Sequence, residues 1–581
     1  MPASTKKNLF GFKLALLGAA VLAANSFAAL PEMRITASKE PTSRSGGSCP
    51  GAWSAATGTH LFDYVAVTNF QITGASVAKD NITRSSKPDS LRLRGNSTAD
   101  ATKKPYRIKF GEKVSLFGKE AAKSWVLLAN YYDGTFALNA IAFEMGTRMG
   151  LEYTNSSQLV DLYINNQYKG IYQLTEQVQA NDARVNLREK HRGWLMELDY
   201  HAPASDECKQ AFVADPAPSS GGGQCYYNCP PATTSGNYNL TLFIKSPQLD
   251  DTSFTRNPND SSSLRFVKTD INNLVTKMKA SNFPENGYRD MIDLDSYAKY
   301  VLIQLVLDNF DFNSKTQTGG LPGSNYLYRR DSSSSSKIKA GPLWDFDLAA
   351  GVRNDGGGFC FSGQQCPPGF PQHYQTYQDP VTPTSQNYSH AFYKRLWEDK
   401  VFKAKYKKLW LKHKSDFQAM SSLIDNIKSQ VENSVESKGA NAWANNTMMG
   451  GGTLTRNQFN TEVTNLKTWL TNRINWVDGQ INVNSIDTSW DIQSSPEYPT
   501  PVVSSAPAKS GNSLSVVKNG LNISATANAS MKVFSLSGVK VRNQSFSAGT
   551  YAVKLGDLPQ GVYLVRVNLD GVKKTVRVPV R

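Results

Sequence analysis

Histidine is scarce in this chain, and the motifs of the common hydrolases are missing with it. The 581 residues include only six histidines. No HExxH segment supplies paired zinc ligands, and no GxSxG segment supplies a nucleophile elbow. No nucleophile has evident histidine and acidic partners. The sequence therefore gives no support to zinc-protease or serine-hydrolase chemistry.

The chain also lacks the standard nucleotide fingerprints. Neither the GxxxxGK[ST] phosphate loop nor the GxGxxG dinucleotide turn occurs. The formal net charge is nevertheless +16, which suits anionic glycans, acidic polymers or phosphate groups. The basic residues are scattered and no nucleic-acid module is present, so we expect no nucleic-acid partner.

Long apolar runs are absent except near the start. Lys6 and Lys7 precede an uncharged apolar run over 14–24, and Ser26-Phe27-Ala28 fits a small-residue cleavage site. This order is typical of a secretory signal peptide, so we expect residues 1–28 to be removed. A membrane anchor is the alternative, but the run is short for a bilayer. We expect a secreted or cell-surface protein.

Cysteine is rare, and an even number in an exported chain favours disulfides. Cys360 and Cys366 share a Gly-rich loop and are candidates to pair. A zinc site at Cys208, Cys225 and Cys229, which share another irregular segment, is the alternative, although this segment lacks a second CxxC or a paired histidine. The six cysteines are Cys49, Cys208, Cys225, Cys229, Cys360 and Cys366.

Composition divides the remaining chain into four parts. Residues 29–60 are an irregular, Gly/Ser-rich lead-in, and 61–483 read as strands followed by helices. Residues 484–512 are Pro/Ser-rich and predict a linker. Short alternating strands over 513–581 predict a small β-sandwich. The fold class is therefore α+β, with an all-β C-terminal domain.

The richest acidic constellation lies in the middle of the chain. Hard cations prefer carboxylate and amide oxygens, and phosphoryl transfer also needs a carboxylate to orient its acceptor. Asp345 and Asp347 are two apart on a predicted strand, so they would share one face and flank one metal. Trp344 offers a flat surface for a base or sugar. The alternative is that these residues only build turns. The members are Asp308, Asp311, Asn325, Asp345 and Asp347.

A basic constellation precedes it on two predicted strands. Guanidinium, ammonium and backbone amide donors are the groups that bind polyphosphates. The turn Gly95-Asn96-Ser97 between the strands offers such amides. Glu176, after a later strand, could pair with a nucleotide-contacting lysine, or simply end a surface hairpin. Two solvated basic strands are the alternative for the whole set, which comprises Arg92, Arg94, Lys103, Lys104, Arg107 and Lys109.

Five segments in order resemble the CotH (spore-coat-protein-H) family of atypical kinases. They read LRLRGNST, KKPYRIKF, WVLLAN, VDLYIN with YKGIY, and NFD with NYLY and PLWDFD. Each segment taken alone matches the family only loosely, whereas the five segments in this order are specific to it. The resemblance spans about residues 60–480 and implies an atypical protein-kinase-like catalytic domain.

The resemblance implies a role for each candidate site residue. Asp311 would be the catalytic-loop aspartate, and Asp345 would serve both in catalysis and as a metal ligand, with Asn325 and Asp347 as further metal ligands. The implied cofactors are ATP and Mg²⁺ or Mn²⁺. The implied reaction is phosphoryl transfer to serine residues of a partner protein. The implied nucleotide-binding residues are Arg94, Asn96, Lys104, Glu176 and Trp344.

The C-terminal segments 531–536 and 558–563 resemble the sorting domains of type IX-like secretion systems. This resemblance implies secretion machinery as a partner. A plain accessory β-domain is the alternative.

A binding protein on an inactive kinase-like fold is the main competing function. Such an adhesin or carbohydrate-binding protein could use the aromatic residues of the segment 355–380 for glycan stacking, and a cell or carbohydrate surface would then be the partner. Metal-dependent ATP binding separates the two functions. The aromatic residues are Phe359, Phe361, Phe370, Tyr374 and Tyr377.

We expect the mature chain to begin near Ala29, because Ser26-Phe27-Ala28 closes the uncharged apolar run. Intact-mass spectrometry of the exported protein tests this prediction. Exported protein that retains Met1 or Lys6 would contradict it.

Overall fold

The structure is a computed structural model, and the contacts divide it into two compact units, Met1–Gln493 and Ser494–Arg581. No helix in the described parts is both long and apolar enough to cross a membrane. The predicted signal peptide and all six cysteines lie outside the described residues. These are 29–45, 60–74, 87–95, 97–189, 192–198, 211–214, 240–247, 262–313, 323–350, 395–447, 453–483, 486–493, 513–517, 520–526, 528–535, 540–558, 561–569 and 572–580.

Seven strands of the first unit form a closed barrel in the order β1-β4-β5-β6-β7-β9-β8. Neighbouring strands are antiparallel except β1 and β8, whose parallel pairing closes the barrel. A separate two-stranded sheet pairs β2 with β3. The strands are β1 Glu32–Ala37, β2 Ser43–Ser45, β3 His60–Phe62, β4 Val65–Thr73, β5 Asp89–Leu93, β6 Tyr106–Val114, β7 Ala122–Leu128, β8 Gln158–Ile164 and β9 Gln167–Glu176.

Side chains alternate between the inside and the outside of the barrel along each strand, and the inward-facing ones fill its core. Along β6, Tyr106, Ile108 and Phe110 enter the barrel core, while Arg107 and Lys109 lie on the outer face. The β8–β9 hairpin turns at Asn165 and Asn166, both with positive φ, which confirms the predicted tight turn. The strand-rich first half is confirmed.

The expected kinase-like lobe is confirmed only as a mixture of helices and strands. The resemblance implied an atypical protein-kinase-like domain, whereas here the strands form a seven-stranded barrel rather than the sheet of a classic kinase lobe. The reason is the parallel pairing of Glu32–Ile35 with Asp161–Ile164, which satisfies both edges of the sheet.

A five-stranded antiparallel sheet and the helices build the rest of the first unit around one large core. The sheet order is β11-β12-β10-β13-β14. Its strands are β10 Trp194–Leu198, β11 Ala211–Ala214, β12 Leu240–Ser246, β13 Asn325–Arg329 and β14 Lys339–Ala340. The helices are α1 Leu138–Arg148, α2 Ser262–Lys279, α3 Leu294–Val306, α4 Phe310–Asn313, α5 Lys400–Ser437, α6 Arg456–Val483 and α7 Trp490–Gln493, and 3₁₀ turns occupy Ser97–Ala99, Tyr288–Asp290 and Ala440–Asn445.

Buried polar side chains fix the ends of the long helices. Asp399 caps α5 by accepting the Val401 amide at 2.8 Å, and Arg289 holds the same carboxylate at 2.7 Å. Arg473 of α6 is fully buried and donates to the Leu305 carbonyl at 2.6 Å. Because this carbonyl belongs to the last turn of α3, Arg473 fixes where that helix ends.

Residues 486–493, at the start of the predicted linker, are held to the first unit. The helix α7 packs on α5, where Asp491 pairs with Lys405 and Lys408 at 3.2 Å each. A local composition rich in Pro and Ser could not reveal this anchoring, because it depends on an acid reaching two lysines far back in the chain.

The second unit is all β, as the alternating pattern predicted. A three-stranded sheet, β15-β16-β19, and a four-stranded sheet, β18-β17-β20-β21, enclose one apolar core. The strands are β15 Ser513–Val517, β16 Gly520–Ala525, β17 Ala529–Ser535, β18 Lys540–Phe546, β19 Gly549–Lys554, β20 Gly561–Leu569 and β21 Val572–Val580.

Lys103 joins the barrel to the helical part of the first unit. Its ammonium donates to the Ile171 carbonyl at 2.5 Å and to Asn446 Oδ1 at 3.1 Å, and the residue is only 4% exposed. Burial lowers the pKa of Lys103 to about 7, while the charge of Asp161 opposes that shift. A positive charge at this junction is therefore destabilising near neutral pH.

We predict that Lys103→Met changes the pH dependence of stability. Between pH 7 and 10 the unfolded lysine holds a proton that the folded lysine has released, so the wild type gains stability with rising pH. The gain is on the order of 1 kcal/mol per pH unit in that window, and the Met variant lacks it. Urea unfolding at several pH values measures the difference. A difference that stays flat from pH 7 to 10 would contradict the prediction.

Candidate functional site

The segment that carries Asp345 and Asp347 is an irregular loop after β14, not the predicted strand. Asp345 has a φ of 63°, which interrupts strand geometry. The side chain of Asn139 accepts the Phe346 amide at 2.9 Å, so α1 holds the loop from one side. The prediction of a shared strand face was wrong because buried side chains, rather than a neighbouring strand, satisfy this backbone.

Asn309 links the two predicted catalytic aspartates through their backbones. Its Nδ2 donates to the Asp345 carbonyl at 3.2 Å, and its Oδ1 accepts the Asp311 amide at 3.3 Å. The same Nδ2 donates to Gln304 Oε1 of α3 at 2.9 Å. Asn309 is 1% exposed, so this arrangement is shielded from water. The structure therefore brings Asp311 and Asp345 to one place.

The carboxylates of this region influence one another. Asp347 keeps some exposed surface, yet burial raises its pKa well above the ordinary value. The charges of Asp345, Asp311 and Asp133 raise it further, in that order. The repulsion among these carboxylates decreases when a cation binds, because a nearby opposite charge favours the ionised form of each carboxyl group.

A divalent cation fits this group of carboxylates by the chemistry of its donors. Ser324 Oγ donates to Asp345 Oδ2 at 3.0 Å, so one oxygen of that carboxylate already has a partner. In the described residues, no three His, Cys, Asp or Glu side chains already converge as a metal site. Carboxylate oxygens supplied by two or three aspartates, completed by water and phosphate, are the set that Mg²⁺ prefers.

Asn325, the third predicted metal ligand, has its amide engaged elsewhere. Its Oδ1 accepts the Tyr300 hydroxyl at 2.8 Å, and its Nδ2 donates to the Gly323 carbonyl at 2.6 Å. It is 1% exposed at the start of β13. In this arrangement Asn325 anchors the chain between Asp311 and Asp345.

Arg94 lies beside the acidic loop. It belongs to the basic wall, which we define as Arg94 with Arg92 and Arg107 on the outer face of the barrel. Its guanidinium lies 5.3 Å from the centre of the Trp344 ring. Trp344 is buried and stacks on Phe143 of α1 with centroids 6.5 Å apart. Because the indole is buried and contacts both Arg94 and Phe143, it positions Arg94 rather than offering a free surface for a base.

Two further arginines continue the basic wall outward. Arg92 of β5 and Arg107 of β6 stand directly opposite each other, and Arg107 donates to Ser124 Oγ at 3.3 Å. Directly opposed like charges destabilise a strand pair.

Lys104 and Glu176, two of the predicted nucleotide-binding residues, have separate partners, so Lys104 is not the lysine that Glu176 was expected to pair with. Lys104 Nζ donates to the Ala99 carbonyl at 2.8 Å. The Glu176 carboxylate instead accepts the Ser156 amide at 2.6 Å and the Ser156 hydroxyl at 2.8 Å. Asn96, the remaining predicted nucleotide contact, lies outside the described residues.

Sequence reasoning assigned no role to several buried polar residues near this region. Asn130 is 5% exposed, and neither atom of its side-chain amide has a hydrogen-bond partner in the structure. It follows Leu128 by two residues, and Leu128 packs in the main core outside the barrel. A buried amide without hydrogen-bond partners costs folding free energy. A ligand that hydrogen-bonds to the amide would remove that cost.

Two more acids, Asp133 and Glu462, belong to this acidic region. Asp133 accepts the Leu138 amide at 2.8 Å at the start of α1, yet burial raises its pKa despite its hydrogen bonds. Burial also raises the pKa of Glu462 on α6, and Asp133 raises it further. The available signal was that Asn130 ends the third resembling segment and Asp133 follows it by three residues, whereas nothing local indicates Glu462.

Family comparisons agree with this division of the chain. A model of the family described as CotH kinase protein matches residues 91–477, more than half of the chain. A model of the secretion-system C-terminal sorting domain matches residues 517–581. No curated protein matches the chain. The sorting domain implies interaction with secretion machinery and points to export and cell-surface attachment. The chain therefore belongs to the CotH kinase family and carries a secretion-system sorting domain beyond its kinase-family region.

Proposed function

We propose that this protein is an exported, metal-dependent protein kinase that transfers the γ-phosphoryl group of ATP to serine residues of a partner protein. The observation that carries the proposal is the double contact of Asn309, which ties Asp311 and Asp345 together beside the arginine wall. Phosphoryl transfer needs this combination of acidic ligands, cationic phosphate donors and an oriented carboxylate.

Asp345 and Asp347 would hold the divalent cation, with Mg²⁺ or Mn²⁺ as the suitable ions. The bound cation supplies charge neutralisation for the phosphates of ATP. The raised pKa of Asp347 supports this assignment, because burial and the neighbouring carboxylates disfavour its charged form and a nearby cation would favour it. Asn325 would act indirectly, by fixing the position of the segment before β13.

Asp311 would orient the acceptor. Its carboxylate accepts the proton of the serine hydroxyl while the serine oxygen forms a bond to the γ-phosphorus. The bond from that phosphorus to the β–γ bridging oxygen breaks, and ADP leaves with the electron pair. Arg94 would donate to the phosphate oxygens, with Arg92 and Arg107 behind it along the wall.

Asn130 would complete the nucleotide site. Its amide offers both a donor and an acceptor that the protein leaves unused. Its positive φ of 50° is a conformation that Asn and Gly adopt with little strain. This conformation allows the side chain to be removed without forcing the backbone to move.

We predict that Asp345→Asn and Asp311→Asn fail in different ways. Loss of a metal-ligand charge weakens binding of metal-bound ATP, so Asp345→Asn raises its Kd. Loss of an orienting carboxylate acts in the transition state, so Asp311→Asn lowers turnover by about 10²–10³ while binding is largely kept. Calorimetric titration with ATP and Mg²⁺, together with transfer of labelled phosphate to Ser-rich peptides, measures both.

Asp425→Asn is the matched control, because Asp425 is an exposed acid of α5 that pairs with Lys467 at 2.7 Å. It should keep both binding and turnover. Wild-type protein that binds no ATP with metal would overturn the kinase proposal and favour a binding protein on an inactive kinase-like fold.

We predict that Asn130→Gly weakens ATP binding and leaves the fold intact. Removal of one neutral hydrogen-bonding group costs about 1 kcal/mol, which is roughly fivefold in Kd. Asn166→Gly is the matched control, since Asn166 also has a positive φ, of 61°, but lies in the exposed β8–β9 turn. Thermal unfolding checks the fold, and calorimetry measures the Kd. Equal ATP affinity in wild type and Asn130→Gly would remove Asn130 from the site.

A further inference from the structure

Arg184 buries a positive charge against the barrel. The residue is 4% exposed, and its guanidinium lies 4.7 Å from the centre of the Trp125 ring. Its Nη1 donates to the carbonyls of Glu120 at 3.3 Å and Ala183 at 3.0 Å. Its Nε and Nη2 are buried and have no hydrogen-bond partner in the part of the chain that the structure describes. These two atoms form the side of the guanidinium that binds a carboxylate through two parallel hydrogen bonds.

Tyr153 adds a third polar group close to Arg184. Its hydroxyl is buried and has no hydrogen-bond partner among the described residues. Burial raises the pKa of Tyr153 well above its ordinary value, the charge of Glu176 raises it further, and the charge of Arg184 opposes the shift. The hydroxyl therefore lies within electrostatic reach of both charges, and it keeps the proton that it can donate.

The neighbouring polar groups do not neutralise Arg184 by direct contact. The Glu176 carboxylate accepts the amide and the hydroxyl of Ser156 instead. Asn155 is 1% exposed and donates to the Glu176 carbonyl at 2.6 Å, while its Oδ1 has no partner in the described chain. Buried water can satisfy such atoms, but water leaves the charge of the guanidinium uncompensated. An anion supplies both the hydrogen-bond acceptors and the opposite charge.

The same chain shows what this set of donors binds. Arg289 holds the Asp399 carboxylate with its Nε and Nη2, both at 2.7 Å. The Tyr288 hydroxyl donates to the same carboxylate, which is fully buried. Arginine Nε, arginine Nη2 and a tyrosine hydroxyl are therefore a sufficient set of donors for a buried carboxylate. Arg184 and Tyr153 present the same three donors.

We propose that Arg184 and Tyr153 bind the carboxylate of a small carboxylic acid. This inference goes beyond the proposed kinase activity and uses none of the residues that the proposed mechanism assigns. A monocarboxylate fits better than a phosphate, because a second negative charge beside Glu176 would have no partner. A small molecule fits better than a side chain of a partner protein, because the Arg184 donors are buried beneath the surface.

Thermal unfolding of the full chain tests the site, with sodium acetate as the probe and sodium chloride at the same ionic strength as the reference. Acetate that binds the folded chain raises the unfolding temperature of the wild type as its concentration rises. Arg184→Gln removes the two parallel donors and should abolish that response. Arg188→Gln is the matched control, because Arg188 lies four residues further on with a side chain that is 62% exposed, and it should keep the response.

Tyr153→Phe is the decisive variant, since it removes one hydroxyl and keeps the ring. Without acetate it should unfold at the same temperature as the wild type or higher, because the lost hydroxyl had no partner. Its Kd for acetate should rise about tenfold, as for loss of one hydrogen bond to a charged group. A purely structural role for Tyr153 would instead lower the unfolding temperature and leave the acetate affinity unchanged.

Four results would overturn the proposal. An unfolding temperature of the wild type that acetate does not change would leave buried water as the partner of these atoms. A response to inorganic phosphate but not to acetate would contradict a monocarboxylate. Binding of a Glu-containing peptide that depends on Arg184, without binding of acetate, would contradict a small molecule.

Competition between acetate and ATP with Mg²⁺ is the fourth result, and it would assign these residues to the nucleotide site. Acetate binding requires no phosphoryl transfer. Failure of the kinase proposal and failure of the carboxylate site are therefore distinguishable.

Discussion

The site depends on one buried side chain, that of Asn309. With a single amide it contacts the backbone of Asp311, the backbone of Asp345 and the side chain of Gln304. A buried amide whose atoms all have partners is rigid, because any movement leaves a donor or acceptor unpaired. Asp311 follows α3, whose end Arg473 fixes from α6. Hydrogen bonds therefore connect the two aspartates to the rigid helical part.

The second organising feature is the separation of charge across the site. Acids gather on the loop after β14 and the start of α1, while arginines line the outer face of β5 and β6. Trp344 stands between them and contacts Arg94. Under the proposed function, a ligand that carries cation and phosphate together would contact both sets. Binding of metal and nucleotide would then be mutually dependent.

Local pattern was sufficient for much of the fold and insufficient for the site. The β8–β9 hairpin, α1 and the strands of the C-terminal unit follow from alternation, helical spacing and turn residues. The barrel did not follow, because its closure depends on a pairing between β1 and β8 that no local pattern encodes. The sequence grouped Asp311 with Asp345 correctly, yet placed Asp345 on a strand. Its backbone is instead held by Asn139 and Asn309, which are distant in sequence. Likewise, the sequence does not distinguish Lys103 from Lys104. Only burial in the structure shows that Lys103 is the lysine at the junction between the barrel and the helical part.

The closure of the barrel has a consequence for the order in which this chain acquires structure. The first strand, β1, finds its last partner only in β8, with Glu32 opposite Asp161. All strands between them must be made before the final pair can form, and contacts so distant along the chain form slowly because the intervening loop must lose its entropy first. While the chain emerges from the ribosome, β1 can pair with β4, but the barrel therefore stays open until β8 has been made. An exported protein benefits from that delay, since a polypeptide that has not yet closed its barrel can still pass through a narrow translocation channel.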